Sequence, residues 1–342
     1  MESEKEQTKS SHRILMTVIR ATVTTGLLFY LFRQFDWEGI EGVFSNVNFT
    51  ILAFTALIPI FQQYIRSYLW QVLLTVQDVG IPFRSILTLN FISLFIGRFL
   101  PSTMGSDLIK IYGVSRGTPK SVDAVASVFA LMIASSLPIF IIGPIGLIFV
   151  HQYISKHLLY LILGLSLLYF IALSLLVNGK VVSILVEFVG RFFKHGVNSF
   201  SRFVMAFPFF WSHKSKMLII ILGCFVTQSM IFIIMYLASL SLSQEISFTY
   251  FMTFGPIIAL ISMLPISISG IGLRETAFVY FFSFAGVRSE VAFSISILSF
   301  LVLISPSFIG AYLYFKQGLR VDYFRNSSEP ESGEVSEKLI HD

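Results

Sequence analysis

Hydrophobic positions in this chain fall in long unbroken blocks rather than in the 3.6- or 2-residue alternation of half-buried elements. The blocks run Ile14–Phe32, interrupted only by Arg20, then Phe49–Ile65, Ala124–Val150, Leu158–Val177, Met217–Leu242 and Val291–Phe315. Most approach or exceed the ~20 residues that cross a bilayer as a helix, and a transmembrane barrel would show ~10-residue alternating segments instead. Six spanning helices are therefore predicted. Arg20 lies close enough to the start of its block to snorkel. That first block continues to Phe32 without a small-residue cleavage pattern and reads as a retained helix rather than a signal peptide.

Two further apolar regions do not fit one span each. Ser85–Gly97 is too short to cross alone and is followed by Arg98, then Leu100-Pro101-Ser102-Thr103-Met104-Gly105-Ser106-Asp107 and an amphipathic piece to Tyr112. Ile246–Leu273 is long but carries Pro256, Pro265, Gly270 and Gly272, and Arg274-Glu275 leads into a second short run, Thr276–Val287. Each region reads Leu-Pro, small residues, Gly, then charge. Broken short helices in corresponding places are the sequence pointer to a transporter whose site lies near the midplane. The expected fold is an all-α polytopic membrane protein of about six to eight transmembrane helices. It has two re-entrant, Pro/Gly-broken helical hairpins, and an inverted repeat is one arrangement of them.

Composition agrees: 55% of the 342 residues are apolar and 13% charged, against about 45–50% and 25% in soluble domains. Mean hydropathy is +0.80. A soluble globule and a disordered chain are both excluded. The net charge of +5 is read as topology rather than nucleic-acid affinity, because Lys and Arg concentrate in cytoplasmic loops. Lys180, Arg191, Lys194, Arg202, Lys214 and Lys216 place the segment 178–216 inside, and Asp36, Glu38 and Glu41 place the loop after the first span outside. Both termini then lie in the cytoplasm of a multi-pass cell-membrane protein. The tails, 1–12 and 317–342, are polar, and residues 13–316 form the membrane domain. Within it, 178–216 alternates Phe with Lys and Arg, as suits a helix in the headgroup layer.

Candidate chemistry concentrates at the two broken regions. Backbone that is not helical at membrane depth must be buried in protein or line a wet cavity. Pro101 and Pro265 stop a helix from running through, while Gly105, Gly270 and Gly272 permit positive φ and close backbone approach. Half-helices starting at Ser106 and Leu273 would aim N–H groups at an anion, with Ser102 and Ser106, or Ser267 and Ser269, as caps. Arg98, Asp107, Lys110, Arg274 and Glu275 sit beside apolar sequence, where an unpaired charge costs about 2.5–3.5 kcal/mol. One reading has Arg98, Lys110 and Arg274 holding a lipid phosphate, tuned by Asp107 and Glu275. The other has the same residues simply paired at the interface. Asn90 is either a headgroup contact or, like Gln62, Gln63 and Gln228, a bond between helices. Trp37 and Trp70 read as interfacial belt residues.

Other chemistry finds no support. Gly270–Glu275 lacks the third glycine of a dinucleotide fingerprint. His151 and His157 do not form a metal pair, and the lone Cys224 supports neither a disulfide framework nor a cysteine metal site. No catalytic constellation is readable, so neither enzyme activity nor a cofactor or metal is expected.

The stretches Asn90…Leu100-Pro101-Ser102-Thr103-Met104-Gly105-Ser106-Asp107-Leu108-Ile109-Lys110 and Leu264-Pro265-Ile266-Ser267-Ile268-Ser269-Gly270-Ile271-Gly272-Leu273-Arg274-Glu275 resemble the flippase-like transmembrane region of lysylphosphatidylglycerol synthases. The resemblance extends over about residues 14–316 and is most specific at the second motif. It implies a domain that moves a phospholipid or polyprenyl-linked lipid between leaflets, often beside an enzyme that makes that lipid. The family often carries an acid–arginine pair in the helix after the first motif, whereas Val128–Ala134 here is uncharged. No soluble aminoacyltransferase domain is read, so lysyl transfer from tRNA is not expected. The expected partners are lipids with anionic headgroups and a lipid-modifying enzyme or glycosyltransferase. The alternatives are a non-catalytic subunit that presents lipid to such an enzyme and a secondary transporter of a small soluble anion.

Overall fold

The computed structural model describes residues 22, 25–26, 37–45, 47–100, 105–150, 155–192, 197–262, 267 and 270–319. Most of the first predicted span and most of both tails lie outside them. Among the described residues the regular elements are all helices: α1 Trp37–Phe44, α2 Phe49–Thr55, α3 Leu57–Val76, α4 Phe83–Gly97, α5 Gly105–Gly117, α6 Ser121–Val150, α7 Lys156–Val177, α8 Gly179–Phe192, α9 Val197–Ser212, α10 Lys214–Ser241, α11 Phe248–Ser262, α12 Leu273–Ser283 and α13 Ser289–Gln317. Five stretches are long and apolar enough to cross a membrane: Phe49–Val76, Ser121–Phe149, Leu159–Val177, Lys214–Ser241 and Ser289–Gln317. Large apolar side chains such as Leu161, Leu167, Leu222 and Phe308 point outward from them, the surface of a multi-pass protein in hydrocarbon.

The second span is longer than its sequence suggests. The helix runs through Arg66 to Val76 rather than ending at Ile65, because one partly exposed cation does not break a helix. Asn48 caps its start, its Oδ1 accepting from the N–H groups of Thr50 and Ile51 at 3.1 and 3.2 Å. The single break, at Ala56, follows from Pro59, which cannot donate to the Thr55 carbonyl. Trp70 is buried rather than interfacial: it is 1% exposed, and its Nε1–H donates to Ser127 Oγ at 2.9 Å. Pro256 lies inside α11 and does not break it; the helix continues to Ser262.

Two short helical hairpins sit among the spans. In the first, α4 and α5 run antiparallel, with Gly97 against Gly105 at the turn end and Leu89 against Gly113 further along. A Cβ at Gly105 would lie 2.4 Å from the Gly97 carbonyl oxygen. Gly105 therefore serves a close approach of backbone to backbone, and its φ is not positive. In the second, α11 and α12 run antiparallel through Phe251, Phe254, Phe278, Phe281 and Phe282, with ring centroids 4.3–5.8 Å apart. The four arms have 15, 13, 15 and 11 residues, about 16–23 Å at 1.5 Å per residue and shorter than a ~30 Å hydrocarbon core.

Each hairpin has its own core. Ile86, Leu89 and Val114 pack with Trp70, Leu73, Val128 and Phe210. The aromatic hairpin packs with Met235, Ala238, Ile295 and Leu298. Helices α6 and α10 contribute to both clusters, Val128 and Ile220 to the first and Leu147 and Met235 to the second. The basic segment 178–216 forms α8 and α9. Its second helix docks on protein: Phe207 and Phe210 are buried, and Arg202 pairs with Asp123 at 2.5 Å.

Candidate functional site

The turn before α12 is built by two glycines. Gly270 and Gly272 have φ of +77° and +81°, the left-handed region that glycine enters without steric cost. Of the predicted serine caps, Ser267 does not hold this helix start. Instead Glu275, 1% exposed, folds back so that its Oε2 accepts from the Gly272 N–H at 2.7 Å, and its Oε1 takes a hydrogen bond from the Arg274 guanidinium. A carboxylate in the first turn also matches the helix dipole. One of the N–H groups expected to face an anion is thus taken by the chain itself. Ser267 is buried, with no partner for its hydroxyl among the described residues. Ser269 and Pro265 lie outside the described residues, as do Pro101 and Ser102.

Arg98 and Arg274, each at the edge of a different hairpin, meet on α13. The Arg274 guanidinium lies 4.2 Å from the Phe300 ring centroid and that of Arg98 5.5 Å from the same centroid. The two cations act on each other electrostatically. Aromatic faces attract cations, so Phe300 explains how both can be held beside one surface. Among the described residues one carboxylate, Glu275, pairs with Arg274, which leaves an excess of one positive charge. Arg98 is exposed and spends one of its five donors on the Leu303 carbonyl at 3.4 Å. Pro306 removes the helical hydrogen bond to the Val302 carbonyl and so loosens the turn that contains Leu303.

Buried polar atoms without partners occur on α12, just before it and along α13. Among the described residues they include Arg274 Nε, Ser267 Oγ, Ser296 Oγ and Ser307 Oγ. Ser296, Phe300, Leu303, Ser307 and Gly310 recur at three- and four-residue spacing, and so share one face of α13. Buried polar groups are normally hydrogen-bonded. The face of α13 that carries Phe300 thus also carries two unpartnered hydroxyls, polar groups able to bond a ligand or water.

The other predicted residues form a separate group. Lys110 is 5% exposed and bonds Asp107 at 3.1 Å within α5, with Arg66 as a further electrostatic neighbour. Asn90 is a bond between helices: its Nδ2 donates to Ser67 Oγ at 2.9 Å and to the Gln63 carbonyl and Oε1 at 3.3 Å, while its Oδ1 is unpartnered. Gln62 likewise donates to the Thr227 carbonyl at 2.8 Å. An apolar cleft lined by Ala130, Ile133, Tyr169, Phe207 and Trp211 belongs to other elements; the Tyr169 hydroxyl there donates to the Ile133 carbonyl at 2.7 Å.

Phe300 and Leu303 are the site residues that sequence reasoning did not reach. Both lie in an apolar block and look like any other lipid-facing or core residue. The signal that could have found them is the Ser296/Ser307 stripe around them.

No curated protein matches the chain. A family model described as "Lysylphosphatidylglycerol synthase TM region" matches residues 17–310, a range that includes both hairpins, α13 as far as Gly310 and the two arginines. The chain belongs to the lysylphosphatidylglycerol synthase transmembrane-region family.

Proposed function

We propose that this protein moves a phosphate-bearing lipid between the leaflets of the cell membrane, as a flippase-like transporter with both termini in the cytoplasm. The two hairpins re-enter the bilayer without crossing it, since their arms are too short to span, and Arg98 and Arg274 reach the same ring of α13 from them. The observation that carries this reading is the meeting of these two arginines, from distant parts of the chain, on the Phe300 ring, with Glu275 paired to Arg274. A lipid phosphate satisfies the surplus charge through charge-assisted hydrogen bonds, which arginine forms in bidentate geometry. The orphan hydroxyls of Ser296 and Ser307 supply donors along the path. Asp107–Lys110 serves as a structural ion pair in the first hairpin and not as part of the phosphate contact. Lipids are the primary partners, and an enzyme that makes or modifies the lipid is the natural second one.

The test is the lipid that stays with the purified protein. Mass spectrometry of gently solubilised protein should find a phosphate-bearing lipid enriched over the bulk membrane, and Arg98→Ala/Arg274→Ala should lose that enrichment. Equal lipid content in both proteins would remove the phosphate site.

A further inference from the structure

A groove on the outer flank of the molecule runs between the second span, α4 and α13. It encloses about 540 Å³ and is lined by Leu57, Ile60, Phe61, Tyr64, Leu87, Phe91 and Ile309. That is the scale of a small-molecule site, roughly 300–1,000 Å³. Its walls are apolar apart from the Tyr64 hydroxyl, and Leu57, Phe61 and Tyr64 are exposed on a membrane-crossing helix. The solvent it faces is hydrocarbon.

Three independent measures of direction agree on where the groove leads. Along α4, Arg98 follows Phe91 by about 10 Å, at 1.5 Å per residue. Along α13, Leu303, whose carbonyl contacts Arg98, precedes Ile309 by about 9 Å. On the second span, Leu57 adjoins Ala56, whose carbonyl accepts from Ser305 Oγ at 3.0 Å, two residues from Leu303. All three walls therefore approach the arginine pair at the same end. The seam between α4 and α13 is closed behind the groove, because Gly310 packs directly on the Phe91 carbonyl. A ligand in the groove has the bilayer on one side and the arginines at one end.

We propose that this groove is the hydrocarbon subsite of the arginine site: it holds one chain of the lipid whose phosphate lies at Arg98 and Arg274. The inference rests on the function proposed above and adds to it that the substrate is selected by chain as well as by headgroup, entering sideways from the bilayer between the second span and α13. The offset of about 10 Å fits a phosphate joined through a short linker to the upper part of one chain.

The experiment uses full-length protein in vesicles doped with a phosphatidic acid that carries a diazirine midway along one acyl chain, compared with a diacylglycerol carrying the same chain. After illumination, label should map to peptides containing Phe61, Phe91 or Ile309. The phosphatidic acid should exceed diacylglycerol by about tenfold, the ratio set by 1.4 kcal/mol of phosphate binding. Arg274→Ala should bring the ratio to about one. Equal labelling by the two probes in the unsubstituted protein means ordinary boundary lipid and overturns the proposal. So does a disulfide formed readily between cysteines placed at Phe61 and within residues 14–32, which would show the groove covered by the chain's own first apolar block. A second readout separates the two claims. If Arg98→Ala/Arg274→Ala abolishes lipid movement while labelling is independent of phosphate, the groove assignment fails and the transport reading stands. If those substitutions leave lipid movement intact, the phosphate site at the arginine pair fails and the groove assignment with it; if the unsubstituted protein moves no lipid, the transport reading fails.

Discussion

Glu275 holds the turn before α12 through two bonds at once, and its removal gives the sharpest structural prediction. Glu275→Ala leaves the Gly272 N–H without its acceptor and Arg274 without its counter-charge. Breaking a buried ion pair from one side costs roughly 3–5 kcal/mol. The Arg274 side chain is 17% exposed, so water recovers part of its loss and the lower end applies. In a thermal-shift measurement in detergent, Glu275→Ala should melt roughly 5 °C or more below the unsubstituted protein. Glu275→Gln keeps an acceptor for the Gly272 N–H and loses only the charge, so it should recover about 1 kcal/mol of that loss. The reasoning fails if Glu275→Ala melts with the unsubstituted protein. It also fails if Gln is as damaging as Ala, since the bond to Gly272 would then contribute nothing.

Two further predictions concern the first hairpin and its seam with α13. Asp107→Ala strands the buried Lys110 beside Arg66 and should cost about 3–5 kcal/mol, whereas Asp107→Ala/Lys110→Met removes both charges and should regain most of it. A thermal-shift cycle over the four proteins measures this, and an unchanged single variant would contradict it. Gly310→Ala places a methyl 2.0 Å from the Phe91 carbonyl oxygen and should destabilise by about 1–3 kcal/mol as the helices separate. Gly164→Ala, with nothing within 4 Å of its added carbon, should be neutral or stabilising by up to about 1 kcal/mol; equal losses at both glycines would refute the packing argument.

The hairpin breaks were legible because proline and glycine act locally. Leu100-Pro101 and Leu264-Pro265 mark interruptions wherever the chain runs, and the second half-helix begins at Leu273 as its glycines imply, the first at Gly105, one residue before the Ser106 expected. What was not legible depends on partners distant in sequence. Trp70 looks like a belt residue until Ser127 is brought to its indole N–H. Arg66 looks like the end of a span, yet its helix continues for another ten residues. Asn90 could face a ligand or a neighbour, and only the placement of Gln63 and Ser67 decides for the neighbour. Nothing local distinguishes Phe300 from the other phenylalanines. Its meaning comes from two arginines that approach it from different hairpins.

The measurement that decides the matter is lipid translocation in proteoliposomes. Fluorescent phosphate-bearing lipid in the inner leaflet is followed by bleaching of the outer leaflet, for the unsubstituted protein and for Arg98→Ala/Arg274→Ala reconstituted at equal density. Loss of two charge-assisted hydrogen bonds, about 1.5–3 kcal/mol each, should slow movement by at least about tenfold, with the fold intact by thermal shift. Equal rates in the two proteins would contradict a phosphate site at the arginine pair, and no movement by the unsubstituted protein would contradict transport by this chain alone.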